Sequence, residues 1–127
     1  MKEIPSINNF EEDFGKFIQV YVNDKPYMRI GAINILHGQI FRQLLNELNI
    51  PFNSKATGYV DENDNVSSIM IPLKRGDLYE LVGAGFVQLD KESLEFYGNS
   101  IDYNPLGVDE NHLYKIAKNI NKKIILK

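Results

Sequence analysis

Cysteine is absent from this 127-residue chain, and histidine occurs only twice. The first absence excludes disulfides, thiol nucleophiles and cysteine metal sites. The second excludes a histidine-rich metal centre. Net charge is −3, so the global basic field that drives binding to nucleic acid or to an anionic membrane is missing as well. No apolar run approaches the roughly 20 residues that span a bilayer. The stretch Met1 to Asp13 is polar and acidic and does not read as a signal peptide. These features fit a cytoplasmic protein whose partners are neither nucleic acid nor membrane. What is present is ordinary for a soluble domain: 43% apolar residues in a length that suits one core.

Residues 1–13 read as a flexible lead, with Pro5, Asn8, Asn9 and the acidic Glu11-Glu12-Asp13. Phe17 to Val22 is β-branched and aromatic and reads as a strand; Asn23 to Pro26 is a turn, and Tyr27 to Ala32 the returning strand. Asn34 is a good N-cap for a helix that runs to about Leu48, with Leu36, Ile40 and Leu44 on one face and Asn49 and Pro51 as stops. Asp61 to Asn65 reads as a loop tip between two strands, and Pro72 ends the second of them. Tyr79 to Leu89 is a strand with a bend or bulge at Gly83-Ala84-Gly85. Leu94 to Phe96 is a short strand. A helix from about Asp109 to Asn119 buries Leu113, Ile116, Ala117 and Ile120, and leaves His112 facing solvent. Ile124 to Leu126 closes the chain as a strand. The order predicts a single α+β domain: a mixed sheet of about six strands flanked by two helices, with an extra central hairpin.

Four side chains carry the chemistry. Tyr97-Gly98-Asn99-Ser100-Ile101-Asp102-Tyr103-Asn104-Pro105 follows a strand; glycine and a hydroxyl there let backbone N–H groups turn toward an anion. His37 lies at the start of the first helix, where the dipole disfavours a charged imidazole and favours a bound anion. A neutral histidine serves there as a base or nucleophile, or merely as a capping or surface residue. Lys16 and Arg29, on the strands upstream, are either anion ligands or solvated edge charges. Ser100 is either an anion ligand or a turn hydroxyl bonded locally.

Taken together, these residues resemble the small phosphohistidine phosphatase family, also called the janus/ocnus family. Two blocks carry the resemblance. One runs from Arg29 through His37 and Gly38 to Ile40-Phe41. The other is Tyr97-Gly98-Asn99-Ser100-Ile101-Asp102-Tyr103 with Pro105. Lys16, before the first strand's Phe-Ile run, and the glycines at 83 and 85 fall in the family's order. The resemblance implies a phosphohistidine-phosphatase-like domain over residues 14–127, hydrolysing a phosphohistidine-containing protein or peptide with no metal and no cofactor. His37 would act as general base or nucleophile and Lys16 would offset charge. Arg29, Gly38, Ser100, Ile101 and Asp102 would hold the phosphoryl group. His37→Ala would then abolish hydrolysis at little cost in stability. The chain departs from the family at Phe86, where an arginine is usual, and at Asp102, where a small apolar residue is usual. The alternative is a catalytically inactive phosphate- or phosphopeptide-binding module on the same scaffold.

Overall fold

Strand β1 (Phe14–Val22) carries apolar residues on both sides of its pleat, which requires cover on both faces of the sheet it joins. Asn23 and Asp24 both take positive φ, 49° and 66°, the type I′ turn whose twist matches a two-residue hairpin. The chain returns antiparallel as β2 (Lys25–Ala32). The computed structural model describes residues 4–50, 55–56, 69–70, 74–75, 78–100 and 106–127. Its main sheet has the order β2-β1-β6-β7-β8, with β6 at Tyr79–Leu89, β7 at Ser93–Tyr97 and β8 at Lys123–Leu126. Pairing is antiparallel except between β7 and β8, so the sheet is mixed. The short β5 (Lys74–Arg75) pairs with β6, and β3 (Lys55–Ala56) pairs antiparallel with β4 (Ile69–Met70) as a separate ladder. The expected loop tip at Asp61 to Asn65, and Pro72, lie outside the described residues.

Helix α1 (His37–Glu47) covers one face: Ile40, Phe41, Leu44 and Leu45 pack on Ile18, Val20, Val22, Leu81 and Ala84. Helix α2 (Glu110–Ile116), extended by a 3₁₀ turn at Ala117–Asn119, covers the other. There Leu113 and Ile116 meet Phe17, Met28, Ile30, Val87 and Phe96. Phe17 and Phe96 meet edge to face at 5.1 Å, a favourable arrangement of ring quadrupoles. α2 is also the crossover that a parallel β7–β8 pair demands. The class is therefore α+β, as expected.

Three local expectations are corrected. Helix α1 is capped at Leu36 rather than Asn34, because the chain first turns through Ile35 N–H to Ala32 O. Leu36 has no polar side chain, and the Gln39 carboxamide reaches back to accept its N–H at 2.8 Å. The stop at Asn49 stands: its φ is 58°, and Ile50 N–H to Leu45 O with Asn49 N–H to Asn46 O form a Schellman motif. Residues 1–13 are expected as a flexible lead, but Pro5 to Asn8 dock on the outer edge of β2 and Asp13 O accepts from Leu89 N–H. Met28 N–H donates to Ser6 O, and the Asn8 carboxamide bonds both the N–H and the carbonyl of Ile30. His112, expected at the surface, is fully buried, since its spacing from Ile116 places both on the inner face of α2.

Candidate functional site

On a pleated sheet, residues directly opposite one another share a face, so register alone assembles the floor of the site. One row reads Gly31, Lys16, Phe86 and Tyr97 across β2, β1, β6 and β7. It lies on the α1 side, with Ile18 and Ala84 one pleat further along. His37 is the first helical residue of α1 and stands over this row, its ring edge to face with Phe86 at 5.8 Å. Phe86 in turn stacks on Tyr97, 5.8 Å between centroids.

The imidazole is 2% exposed, and its Nε2 lies 2.8 Å from the Gly85 carbonyl oxygen. A carbonyl only accepts, so Nε2 carries the proton, and in the neutral ring the lone pair is on Nδ1. Lys16 is partly buried, and its ammonium makes no ion pair among the described residues. The row therefore carries a cation next to Phe86, the residue on which a histidine of fixed tautomer packs at a helix N-terminus with no acidic residue in its first turn.

Ser100 is 1% exposed and sits past the end of β7. Its N–H donates to Leu106 O at 3.0 Å, and the neighbouring Gly107 O accepts from Ala84 N–H at 3.0 Å, which ties the loop to β6. Gly98 opens this loop with φ 71°, and a Cβ there would lie 2.9 Å from the Phe86 ring. Gly98→Ala is expected to cost about 1–2 kcal/mol from the left-handed backbone alone, read as a lower urea midpoint, and to disturb the aromatic pair beneath His37. Ile101 and Asp102 lie outside the described residues.

Arg29 is not brought to the site. Its Nε and Nη2 donate to the Glu47 carboxylate at 3.0 and 3.2 Å, Nη2 also to Pro5 O and Nη1 to Met28 O. Glu47 closes α1, about 15 Å along the helix from His37. The guanidinium thus fastens the N-terminal stretch and the end of α1 to β2, and the expected phosphate contact is corrected to a structural clamp. The sequence reading did not foresee the Gly85 carbonyl that sets the His37 tautomer, or the Phe86–Tyr97 stack; neither leaves a signal before the register is known. Among the described residues no cluster of three or more His, Asp or Glu side chains could hold a metal ion, and no helix is long and apolar enough to cross a membrane. No family model matches the chain, and no curated protein matches it.

Proposed function

We propose that the protein is a phosphohistidine phosphatase-like hydrolase in which His37 Nδ1 is the reactive atom. The observation that carries this reading is the Nε2–H bond from His37 to the Gly85 carbonyl, which puts the lone pair on Nδ1 of a ring standing over the row that also carries Lys16. The P–N bond of a phosphohistidine is labile, so the site needs chiefly to position the phosphoryl group and stabilise its charge. Two routes share these parts. In both, the P–N bond breaks and the substrate imidazole, already protonated on its other nitrogen, leaves as the neutral ring: either Nδ1 takes the phosphoryl group and water then releases phosphate, or Nδ1 draws a proton from the water that attacks phosphorus directly. Lys16 offsets charge building on the phosphoryl oxygens, and the helix start at Gly38 and the chain at Ser100 border them. Arg29 has no part in this scheme.

The test is release of inorganic phosphate from a phosphohistidine peptide in the presence of a chelator. Rapid-quench labelling that captured phosphate on His37 would select the covalent route. Lys16→Ala is expected to lower turnover by about 10- to 1000-fold, the range seen when an electrostatic stabiliser is lost, with little change in melting temperature because Lys16 makes no ion pair among the described residues. An unchanged rate would remove Lys16 from the site. A second reading is favoured by the 2% exposure of His37 and the aromatic pair packed beside it. In it the histidine anchors α1 to β6, and the protein binds a phosphorylated partner without turnover. Tight peptide binding with no phosphate release selects that module.

A further inference from the structure

The second histidine lies on the opposite face of the sheet and takes no part in the proposed reaction. His112 is fully buried; its Nε2–H donates to Val20 O at 3.1 Å, and its Nδ1 accepts from Gln19 Nε2 at 3.3 Å. Gln19 is also fully buried, and it uses every other group on Asp109: Nε2 donates to Asp109 O at 2.9 Å and Oε1 accepts Asp109 N–H at 2.7 Å. These bonds assign both the amide orientation and the imidazole tautomer. Gln19 sits at the bulge where β1 and β6 slip register, opposite Gly83, whose missing Cβ leaves the space that Gln19 Oε1 fills. The segment that Gln19 holds, residues 106–109, is the one whose carbonyls receive Ser100 N–H and Ala84 N–H.

We propose that the Gln19–His112 pair is a pH-sensitive latch: neutral, it holds residues 106–109 and through them the Ser100 loop; protonated, it lets them go. A proton on Nδ1 would face the Gln19 NH₂ group, donor against donor. Flipping the carboxamide cures that contact and creates two others, oxygen against Asp109 O and nitrogen against Asp109 N–H. No arrangement of Gln19 satisfies both a charged His112 and Asp109, so protonation must free one of them.

The charged neighbours do not reverse this. Asp109 favours the imidazolium, but its Oδ1 is already bonded to His112 N–H at the helix start. Lys115 disfavours it, with its ammonium over the Tyr21 ring that packs edge to face on His112. Burial is the dominant influence and pushes the imidazole below its ordinary value of 6.5, against the pull of the Val20 carbonyl, Asp109 and the Tyr27 backbone. Because the folded value is depressed, the latch contributes its stability fully above pH 6.5 and loses it as the pH falls below that value.

The experiment is an NMR titration of the full chain that follows the His112 ring together with the amide protection of Ala84, Ser100 and Asp109. All are expected to share one midpoint below 6.5, with the opening constant of those amides rising by up to about tenfold per pH unit in that window. His112→Gln keeps the bond to Val20 and does not titrate, so it should abolish the dependence; His37→Gln should leave it in place. Separate midpoints, a dependence that survives in His112→Gln, or one that vanishes in His37→Gln would each overturn the latch. If His112→Gln does not fold, the shared midpoint in the unaltered chain decides. Loss of turnover at low pH rests on the hydrolase reading, but the amide readout does not. A protein without phosphatase activity can still pass this test, and an active one can fail it.

Discussion

Replacing His37 with glutamine is expected to lower turnover on a phosphohistidine peptide by about 10²- to 10⁴-fold, the share ordinarily carried by a general acid–base or nucleophilic side chain. Stability should hardly change. Glutamine carries an N–H at about the position of Nε2, so the bond to the Gly85 carbonyl can be kept while Nδ1 is lost. His37→Ala should fail in two ways at once. It removes the reactive nitrogen, and it leaves the Gly85 carbonyl without its buried donor at a cost of about 1–3 kcal/mol. The expectation that alanine would be harmless to stability rested on His37 lying outside the core, and its 2% exposure corrects that. The pair of variants therefore separates chemistry from folding: phosphate release reports the first, a urea midpoint the second. A glutamine variant that hydrolyses at the original rate would end the catalytic assignment and leave His37 as an anchor.

The largest effect on stability is expected at Gln19. Gln19→Leu conserves volume but strands the N–H and carbonyl of Asp109 and Nδ1 of His112. At about 1–3 kcal/mol for a buried polar group left unpaired, and less for the half-buried groups of Asp109, the loss should reach about 3 kcal/mol. For a domain of this size that lowers the melting temperature by about 10 °C or more. Gly83→Ala should act in the same direction by another route, since its Cβ would collide with Gln19 Oε1 and push the carboxamide off Asp109. Denaturation followed by fluorescence or circular dichroism measures both. A loss below about 1 kcal/mol in Gln19→Leu would mean that solvent or side-chain rearrangement satisfies those groups, His112 Nδ1 included, contrary to the full burial of His112.

Sequence pattern carried the elements well where it had a period to carry. The β1–β2 hairpin, the Ile40–Leu44 face of α1, the irregularity beside Gly83 and the closing strand after α2 all followed from local signals. Long-range contacts were beyond it. Arg29 looked like a ligand because a strand arginine near a histidine is ambiguous; only the tertiary path of α1 puts Glu47 within its reach. His112 looked solvated because Asn111 and Lys115 flank it, yet its four-residue spacing from Ile116 marks the buried face, and Gln19 is the polar residue set among apolar neighbours that should have suggested a partner. For the candidate site, the order of Lys16, His37 and Ser100 was visible in the chain. That Lys16, Phe86 and Tyr97 form one row under His37 depends on register, which the bulge at β6 sets and no local pattern reveals.

The docked N-terminal stretch has a consequence for self-association. A sheet edge is a template on which a second copy can add a strand. At β2 that template is already taken: Ser6 and Asn8 occupy the outward groups of Met28 and Ile30, and Pro5 holds the Arg29 guanidinium. Among the described residues no strand pairs with the outer side of the other edge, β8, which begins at the exposed Lys123, a charge of the kind that discourages a further strand. One edge is thus occupied by the chain itself, and the other begins at a charge.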